Sequence, residues 1–518
     1  MTELESAPVK LFRDPVHDMI ELRLHSGPME ESPPWAWGDT LLLALIDTPP
    51  LQRLRRIRQL GPAAKVYPSA EHSRFSHALG TMHLATRMIA EVAQGHPGVI
   101  SPLLGLQIRV AALIHDLGHG PYSHVFEHVS PTPIAHELRG IALLEHDSPV
   151  RRAIHHFCEK HHLDHARFTH ELALILGSGE ATGLLGLARQ FISSQLDADR
   201  MDYLQRDAHF TGVRYGRFDA AWLMRSLRLK QTASGPLLCV EIAKGPAALE
   251  SYIAARDDMY RQVYDHKAVR AFEALLIHII RTLLALLDAH QPLPSGTPME
   301  LVRYLQQERQ AEAQEPALFQ ALDDAVLDYA IGYWSRLTLT QQDTPLLWEL
   351  RRKSGMFQHR LAPYKRLLWH MDPEQRLWEE GDEGVQDQDG ATDVILDADA
   401  AQALQHFLHS HGDHPLEIVE PESGRQWNVP LSLLVHVDSL HRAPYAHMQY
   451  AVGSRGSIPV LEGNGRLRWA EQASERINFL GHCRRKQARV FVDRRALAGV
   501  MALIHQHFQH PLLKLWER

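Results

Sequence analysis

Cysteine is scarce in this 518-residue chain: Cys158, Cys239 and Cys483 stand far apart and show no CxxC spacing. That argues against a disulfide framework or a thiolate zinc site and fits a reducing, cytoplasmic compartment. Long uncharged apolar runs are missing as well. The most apolar stretch, 271–288, is interrupted by Glu273, His278 and Arg281 and reads as a buried helix, with no membrane span expected. The opening MTELESAPVK lacks the charged-then-apolar layout of a signal peptide. Nor is there an excess of positive charge. A net charge of -8 gives no general attraction to nucleic acid or acidic membranes, so nucleotide affinity must come from local basic clusters.

Histidine, by contrast, is abundant: 35 residues of the type most used for metal ligation and for proton transfer near neutral pH. The remaining composition, 45% hydrophobic and 22% charged, is that of a soluble globular protein, and the length calls for more than one core. Most of 40–290 reads as helix. Ser101-Pro102 supplies a cap and a first-turn proline for a helix that runs to the Gly118 break. An upstream helix holding SRFSHALGTMHLATRMIAEVA stops at 94–98, a third covers about 190–209, and more are expected at 246–290, 300–312 and 317–336. After about 390 the short β-branched segments DVILDA, LEIVE, LSLLVHVD and ARVFVD read as strands, preceded by an acidic Gly-rich linker at 379–393. The expected fold is mainly α: a helical domain over 1–290, a helical extension over 291–390, and a smaller α+β region over 391–518.

The sharpest chemical signal is His115-Asp116, followed by Leu-Gly-His-Gly-Pro-Tyr-Ser-His. A lone His-Asp pair is weak evidence. Here it ends an apolar helix (VAALI), which brings both side chains near the core, and His119 and His124 follow in a Gly/Pro-rich bend with room for a ligand. Asp199, Asp202, Tyr203, Arg206 and Asp207 fall at i, i+3, i+4, i+7 and i+8, along one helix face. Taken alone, such a stripe is as well explained by a solvated outer face. Leu196, Met201 and Leu204 nevertheless give the segment an apolar side to bury, and tyrosine and arginine among three carboxylates suit a pocket wall for sugar and phosphates. Arg200, beside Asp199, could contact a phosphate oxygen. His77, near the start of its own helix, would alone more often be a core histidine; its weight comes from the combination.

His77, His115-Asp116 and Asp199 follow the H…HD…D order of the HD-domain superfamily. The strings DPVHDMIEL, IDTPPLQRLRRIRQLG, SRFSHALG, HDLGHGPYSH, LDADRMDYLQRDAHFTGV and YDHK narrow this further. Over about residues 11–290 the chain resembles the deoxynucleoside triphosphate triphosphohydrolases, a group that includes bacterial dNTPases and animal enzymes joining a sterile-alpha-motif domain to an HD domain. Beyond 290 only FQHRLAPYKR and ARVFVD look like parts of the same family. No sterile-alpha-motif domain is expected before Leu11.

The resemblance implies hydrolysis of a dNTP to deoxynucleoside and inorganic triphosphate, with one divalent ion (manganese, iron or magnesium) at His77, His115, Asp116 and Asp199. It implies an acid/base and positioning group of His119, His124, Glu127 and His136, in which His124 protonates the 5′ oxygen and His119, steadied by Glu127, sits near the attacking water. Arg74, Arg200, Arg256 and Lys267 match positions that hold the triphosphate. Tyr203, Asp207 and Tyr264 match positions around the deoxyribose, and Gln59 and Leu60 those at the sugar edge. Asp47 and Arg55 match positions that bind a nucleotide activator. Two departures bear on that activator: Arg13 stands where the animal enzymes have asparagine, and Asp18 replaces a glycine. Relatives form dimers and tetramers, which implies a homo-oligomer.

Two basic clusters stand apart from these motifs, Arg53/Arg55/Arg56/Arg58 and HCRRKQAR at 482–489. They read equally as solvated or subunit-facing surface and as an effector or nucleic-acid patch. Without interleaved aromatics, nucleic acid is the weakest candidate partner. Two other functions stay open: an HD phosphohydrolase acting on a signalling nucleotide or monophosphate, and a nucleotide sensor without turnover.

Overall fold

The structure, a computed structural model, describes residues 8–24, 27–129, 135–310, 316–361, 364–370, 394–395, 405–419, 424–442, 457–482 and 485–507. Contacts divide the chain into two units, one formed by 1–263, 306–325 and 444–482 and the other by 264–305, 326–443 and 483–518.

The first unit is built around three helices, Arg74–Gly95, Pro102–Ile114 and Ala198–Thr211. The middle one starts as its sequence dictates: the Ser101 hydroxyl accepts from Leu104 N at 3.2 Å, and Pro102 occupies a position whose N–H would have no helical partner. Every residue from Leu104 to Ile114 is buried, Gln107 and Arg109 included. Arg109 is admitted because it donates to Trp37 O, Thr86 Oγ1 and the buried Asp39 carboxylate. The third helix begins at Ala198, later than expected. Asp197 caps it, accepting from Arg200 N at 2.7 Å, while Gly183–Gln190 forms a separate helix. Gly212, at φ +79°, ends it in the left-handed conformation that glycine adopts without penalty.

Two hairpins stand beside these helices, and the second interrupts the mostly helical stretch expected over 40–290. Val9–Asp14 pairs antiparallel with Asp18–Arg23. Leu227–Thr232 pairs with Gly235–Glu241, and that hairpin becomes a four-stranded sheet when Pro459–Leu461 adds in parallel and Leu467–Trp469 pairs with it in turn. Buried Leu227 and Leu229 alternate with half-exposed Arg228 and Lys230, a period-2 pattern too short to stand out among helices. The single helix expected over 246–290 is three pieces: Pro246–Met259, a π-turn at Tyr260–Tyr264, and Lys267–Asp288, restarted where His266 Nδ1 accepts from Ala268 N. The one expected over 317–336 is Pro316–Gln320 followed by Asp324–Trp334.

In the second unit, strand Arg485–Asp493 lies between Tyr364–His370 and Val435–Arg442, antiparallel to both. A second hairpin joins Pro415–Val419 to Gln426–Pro430. The core gathers Ile418, Val429, Leu431, Leu434, Val490, Val492, Val500 and Ile504. Of the expected strands, LEIVE and ARVFVD are strands, LSLLVHVD is a 3-10 turn at Leu431–Leu433 leading into Val435–Arg442, and DVILDA is described only as Val394–Ile395. The acidic 379–393 stretch and the side chains of the 482–489 basic patch lie outside what the structure describes. The fold is therefore mainly α with a smaller α+β C-terminal region, as the sequence indicates. Among the described residues, no helix is long and apolar enough to cross a membrane.

Candidate metal centre and histidine cluster

The three central helices bring His77, His115, Asp116 and Asp199 into one group. His77 stands in the first turn of Arg74–Gly95, His115 caps the end of Pro102–Ile114, and Asp199 lies in the first turn of Ala198–Thr211. His77 Nε2 is 3.0 Å from Asp199 Oδ1 and 3.8 Å from Asp116 Oδ2. His115 Nε2 is 3.3 Å from Asp116 Oδ1 and 3.6 Å from Asp199 Oδ1. His115 Nδ1 donates to Ala112 O at 2.8 Å, which fixes the ring and turns Nε2 inward.

The charges at this point call for a cation. Burial favours a neutral His77, but hydrogen bonds to Asp199 and Asp202, with the fields of Asp202 and Asp116, lift its pKa to about 10. Asp116 is held well below the usual carboxylate range despite burial, chiefly by Arg74 and then His115 and His119. His115 Nε2 is buried without a hydrogen-bond partner. Buried carboxylates and an imidazole nitrogen left without a partner are the donor set of a divalent ion, and ligand atoms of His77, His115 and Asp116 lie within 4.8 Å of one another. The group thus fits a divalent metal ion.

Behind this group stands a carboxylate to which the sequence reading gave no role. Asp202, fully buried, accepts from His77 Nδ1 at 2.7 Å, His17 Nε2 at 2.5 Å, and Arg206 Nε and Nη2 at 2.8 and 3.0 Å. Arg206 Nη1 continues to Asp14 Oδ2 at 2.8 Å. A Cβ at Gly80 would run into the Asp202 carboxylate, so only glycine lets the Arg74–Gly95 helix approach so closely. The Asp199–Asp207 stripe is therefore an inward wall and no solvated face: Asp202, Arg206 and Asp207 are buried and Asp199 and Tyr203 half-buried.

A second cluster adjoins the first through Asp116, whose Oδ1 lies 3.3 Å from His119 Nε2. His119 and His136 rings stack at 3.8 Å, and His124 meets His119 edge-on at 4.8 Å. Glu127 Oε1 faces His136 Nδ1 at 3.2 Å and His119 Nδ1 at 3.4 Å, and Oε2 faces His124 Nδ1 at 3.5 Å. Burial, then the fields of Arg74 and His136, push the His119 pKa down to about 3. His124, with 61% of its side chain exposed, is the open member. The helix His136–Glu145 comes this close because Gly118 has no Cβ; one there would overlap His136 O and Gly140 N.

The other residues singled out from the sequence are distributed as follows. Arg74 donates to Asp116 Oδ2 at 2.6 Å and Ser123 Oγ at 2.7 Å. Arg200 is tied to Asp197 at 2.6 Å and Arg256 to Gln195 at 2.6 Å. Tyr203 stands 6.5 Å from the His77 ring. Asp207 and Gln59 share His72, which meets Asp207 Oδ1 through Nε2 at 2.7 Å and accepts from Gln59 N at 2.9 Å through its carbonyl. Gln59 Oε1 is buried without a hydrogen-bond partner, next to Leu60 in the same turn. Asp47 and Arg55 are exposed; Arg55 lies 3.7 Å over the Phe75 ring and donates to Gln52. Tyr264 and Lys267 fall in the second unit. Three arginines of the Arg53–Arg58 segment are engaged within the fold: Arg53 donates to Leu322 O, Arg56 to Asp323, and Arg58 to Glu71 and Asp324, while Arg55 and Arg56 remain exposed.

Residues 74–207, which span both clusters, match the HD domain family, and the chain accordingly carries an HD domain. It is similar to the deoxynucleoside triphosphate triphosphohydrolase SAMHD1 of Danio rerio, at 27% identity over 303 residues, covering 53% of this chain and 45% of that protein. It is also 38% identical over 271 residues to the uncharacterised protein YwfO of Bacillus subtilis, covering 52% of this chain and 55% of that one. The chain spans about half the length of these curated relatives. A crystal structure of a phosphohydrolase from Bacteroides thetaiotaomicron shares the fold with a TM-score of 0.65 at 24% identity, covering 94% of this chain and all of that one.

Proposed function

We propose that this chain is a metal-dependent phosphohydrolase that converts a deoxynucleoside triphosphate to deoxynucleoside and inorganic triphosphate. The observation that carries this reading is the position of Asp116. One of its oxygens lies 3.3 Å from both His115 and His119, and the other is 2.6 Å from Arg74. Metal-ligating groups, a histidine relay and a phosphate-binding cation thus meet at a single carboxylate.

His77, His115, Asp116 and Asp199 would hold one manganese, iron or magnesium ion, which when bound supplies Lewis-acid polarisation of a phosphate. Arg74, Arg200 and Arg256 are the cations offered to the triphosphate, and the family resemblance alone adds Lys267. The bond between the α-phosphorus and the 5′ oxygen breaks as water adds to phosphorus, and the departing alkoxide needs a proton. His124, the open member of its cluster, is the donor; His119, buried and backed by Glu127 and His136, orients the water. Gln59, Leu60, Tyr203 and Asp207 would line the sugar, with Tyr264 assigned there by the family resemblance alone, and the buried, unpaired Gln59 Oε1 suits a ligand hydroxyl. Asp47 and Arg55 would take a nucleotide activator, and the active form would be a cytoplasmic homo-oligomer, dimer or tetramer. Support for the substrate comes from the named relatives' dNTP chemistry.

The test is incubation with Mn²⁺ and each of the four dNTPs, singly and mixed, with anion-exchange separation of products and Asp116→Ala as control. Deoxynucleoside and intact triphosphate from the wild type alone would support the proposal. Turnover only in the mixture would point to the activator site. Nucleotide binding without any product would sink the proposal in favour of a sensor.

A further inference from the structure

Between the His115-Asp116 pair and His124 the backbone enters the left-handed region twice in succession: Tyr122 has φ +55° and Ser123 φ +60°. For a residue with a Cβ each such excursion costs roughly 1–2 kcal/mol, and it persists only where the surroundings over-determine it. One buried carboxylate does much of the determining. Asp324 Oδ1 accepts from Tyr122 N at 2.6 Å, while Oδ2 accepts from Arg58 N at 3.0 Å and Arg58 Nη1 at 3.4 Å. Ser123 then donates its hydroxyl to Arg58 O at 2.7 Å and accepts from Arg74 Nε at 2.7 Å. Arg74 reaches Asp116, and His124 is the next residue in the chain.

Asp324 arrives from 202 residues further along, on the segment 316–325 that belongs to the first unit. That segment is firmly seated. Arg53 and Arg139 lie over the Phe319 ring at 4.7 and 5.0 Å, Arg53 Nε donates to Leu322 O at 2.7 Å, and Arg56 Nε donates to Asp323 at 2.5 Å. The arginines that the sequence offers as a basic patch are the anchors of this strap.

We infer that Asp324 is a positioning residue: by fixing the Tyr122 and Arg58 amides it holds the Tyr122–Ser123 turn and so aims His124 and Arg74, without touching substrate itself. This rests on the proposed role of His124. Its geometric part, that Asp324 holds the turn, does not.

The experiment compares wild type with Asp324→Asn, whose amide sets an N–H₂ against one of the two backbone donors. Hydrogen–deuterium exchange over 117–128, metal content per chain and dNTP kinetics are measured together. The expected result is faster exchange at 119–124, unchanged metal content, and kcat lower by roughly 10- to 100-fold with KM within about threefold, as misplacement of a catalytic group by about an ångström produces. Unchanged exchange and kcat would overturn the inference. So would a loss of kcat matched by an equal loss of metal, which is what general damage to the fold gives. If Asp324→Asn is insoluble, Asp324→Glu, which keeps the charge but displaces it by one methylene, carries the same measurements to the same decision. A wild type inactive on every dNTP would refute the proposed function, and the exchange difference would still decide whether Asp324 holds the turn.

Discussion

Asp202 offers the most exacting test of how the metal centre is built. Arg206, then hydrogen bonds from His17 and His77, hold its carboxyl far below the usual range although it is buried. Asp202→Asn preserves the shape and removes the charge. An amide has one acceptor oxygen, whereas Asp202 serves four donor atoms at 2.5–3.0 Å. Its N–H₂ must therefore face at least one of them. Hydrogen bonds to charged groups are worth about 1.5–3 kcal/mol each, so losing one or two and setting donor against donor costs roughly 3–5 kcal/mol of stability. Arg206 keeps Asp14, which limits the loss. At the metal site the effect is more specific. His77 loses the carboxylate that makes its ring basic and fixes its tautomer, and such supporting partners contribute about 10- to 100-fold in metal affinity. Competition with a coloured chelator measures Mn²⁺ affinity on folded protein, with unfolding by denaturant as the companion assay. A folded Asp202→Asn protein with wild-type Mn²⁺ affinity would refute the reasoning. His17→Gln should weaken metal binding less, because Arg206 Nη2 still bonds the same Asp202 oxygen at 3.0 Å.

Gly118→Ala should destabilise the first unit by about 1–3 kcal/mol and reduce turnover. The new methyl overlaps His136 O and Gly140 N and pushes away the helix that stacks His136 on His119, so wild-type rate and stability together would contradict this packing. A chelator should abolish turnover and Mn²⁺ restore it in the wild type, while Asp116→Ala, which also strips the buried Arg74 of its carboxylate, should recover less than about 1% in the same assay. In the second unit, burial and then the fields of Lys353 and His436 hold the His278 pKa well below its ordinary value, with Tyr364 Oη at 2.6 Å from Nδ1. The folded protein keeps this ring neutral and the unfolded chain protonates it, so its stabilisation is present above about pH 6.5 and falls by about 1.4 kcal/mol per pH unit below. The stability gap between wild type and His278→Gln, measured by denaturant from pH 7.5 to 5, should narrow as pH falls; a constant gap would contradict the buried neutral ring.

The parts of the site that could be read in advance are those whose signals are local. His115-Asp116 at the end of an apolar helix, the Gly/Pro bend after it and the i, i+3, i+4, i+7 stripe each describe one element, and burial of one apolar face is enough to bring the elements together. The two clusters accordingly contain the residues that the sequence nominates as metal ligands and as the acid/base group, while Asp47, Arg55, Tyr264 and Lys267 lie elsewhere. Local pattern states which face a residue occupies; it does not state its partner. Asp202 and Arg206 were visible on the stripe, yet their pairing with His17, His77 and Asp14 joins three separate segments. The hairpin at 227–241 was hidden for a related reason, since six alternating residues carry little weight inside a helical stretch.

The arginine run at 53–58 shows this limit most clearly. Four arginines within six residues read equally as solvated or subunit-facing surface and as charge offered to an outside anion, and composition does not decide between them. The partners of Arg53, Arg56 and Arg58, at 322–324, lie in a short break between two helices and at the first residue of the second, where the sequence reads one continuous element. That break leaves Asp323 outside the helices and makes Asp324 the first residue of the second one. Asp323 Oδ1 accepts from Ala325 N at 3.0 Å and restarts the helix, while Asp324 turns to the Tyr122 amide. A continuous helix would commit these backbone groups to their own ladder and spread the two side chains about 100° apart around its axis. A sequence reading that places the break correctly would therefore have paired three of the four arginines and found the strap in one step.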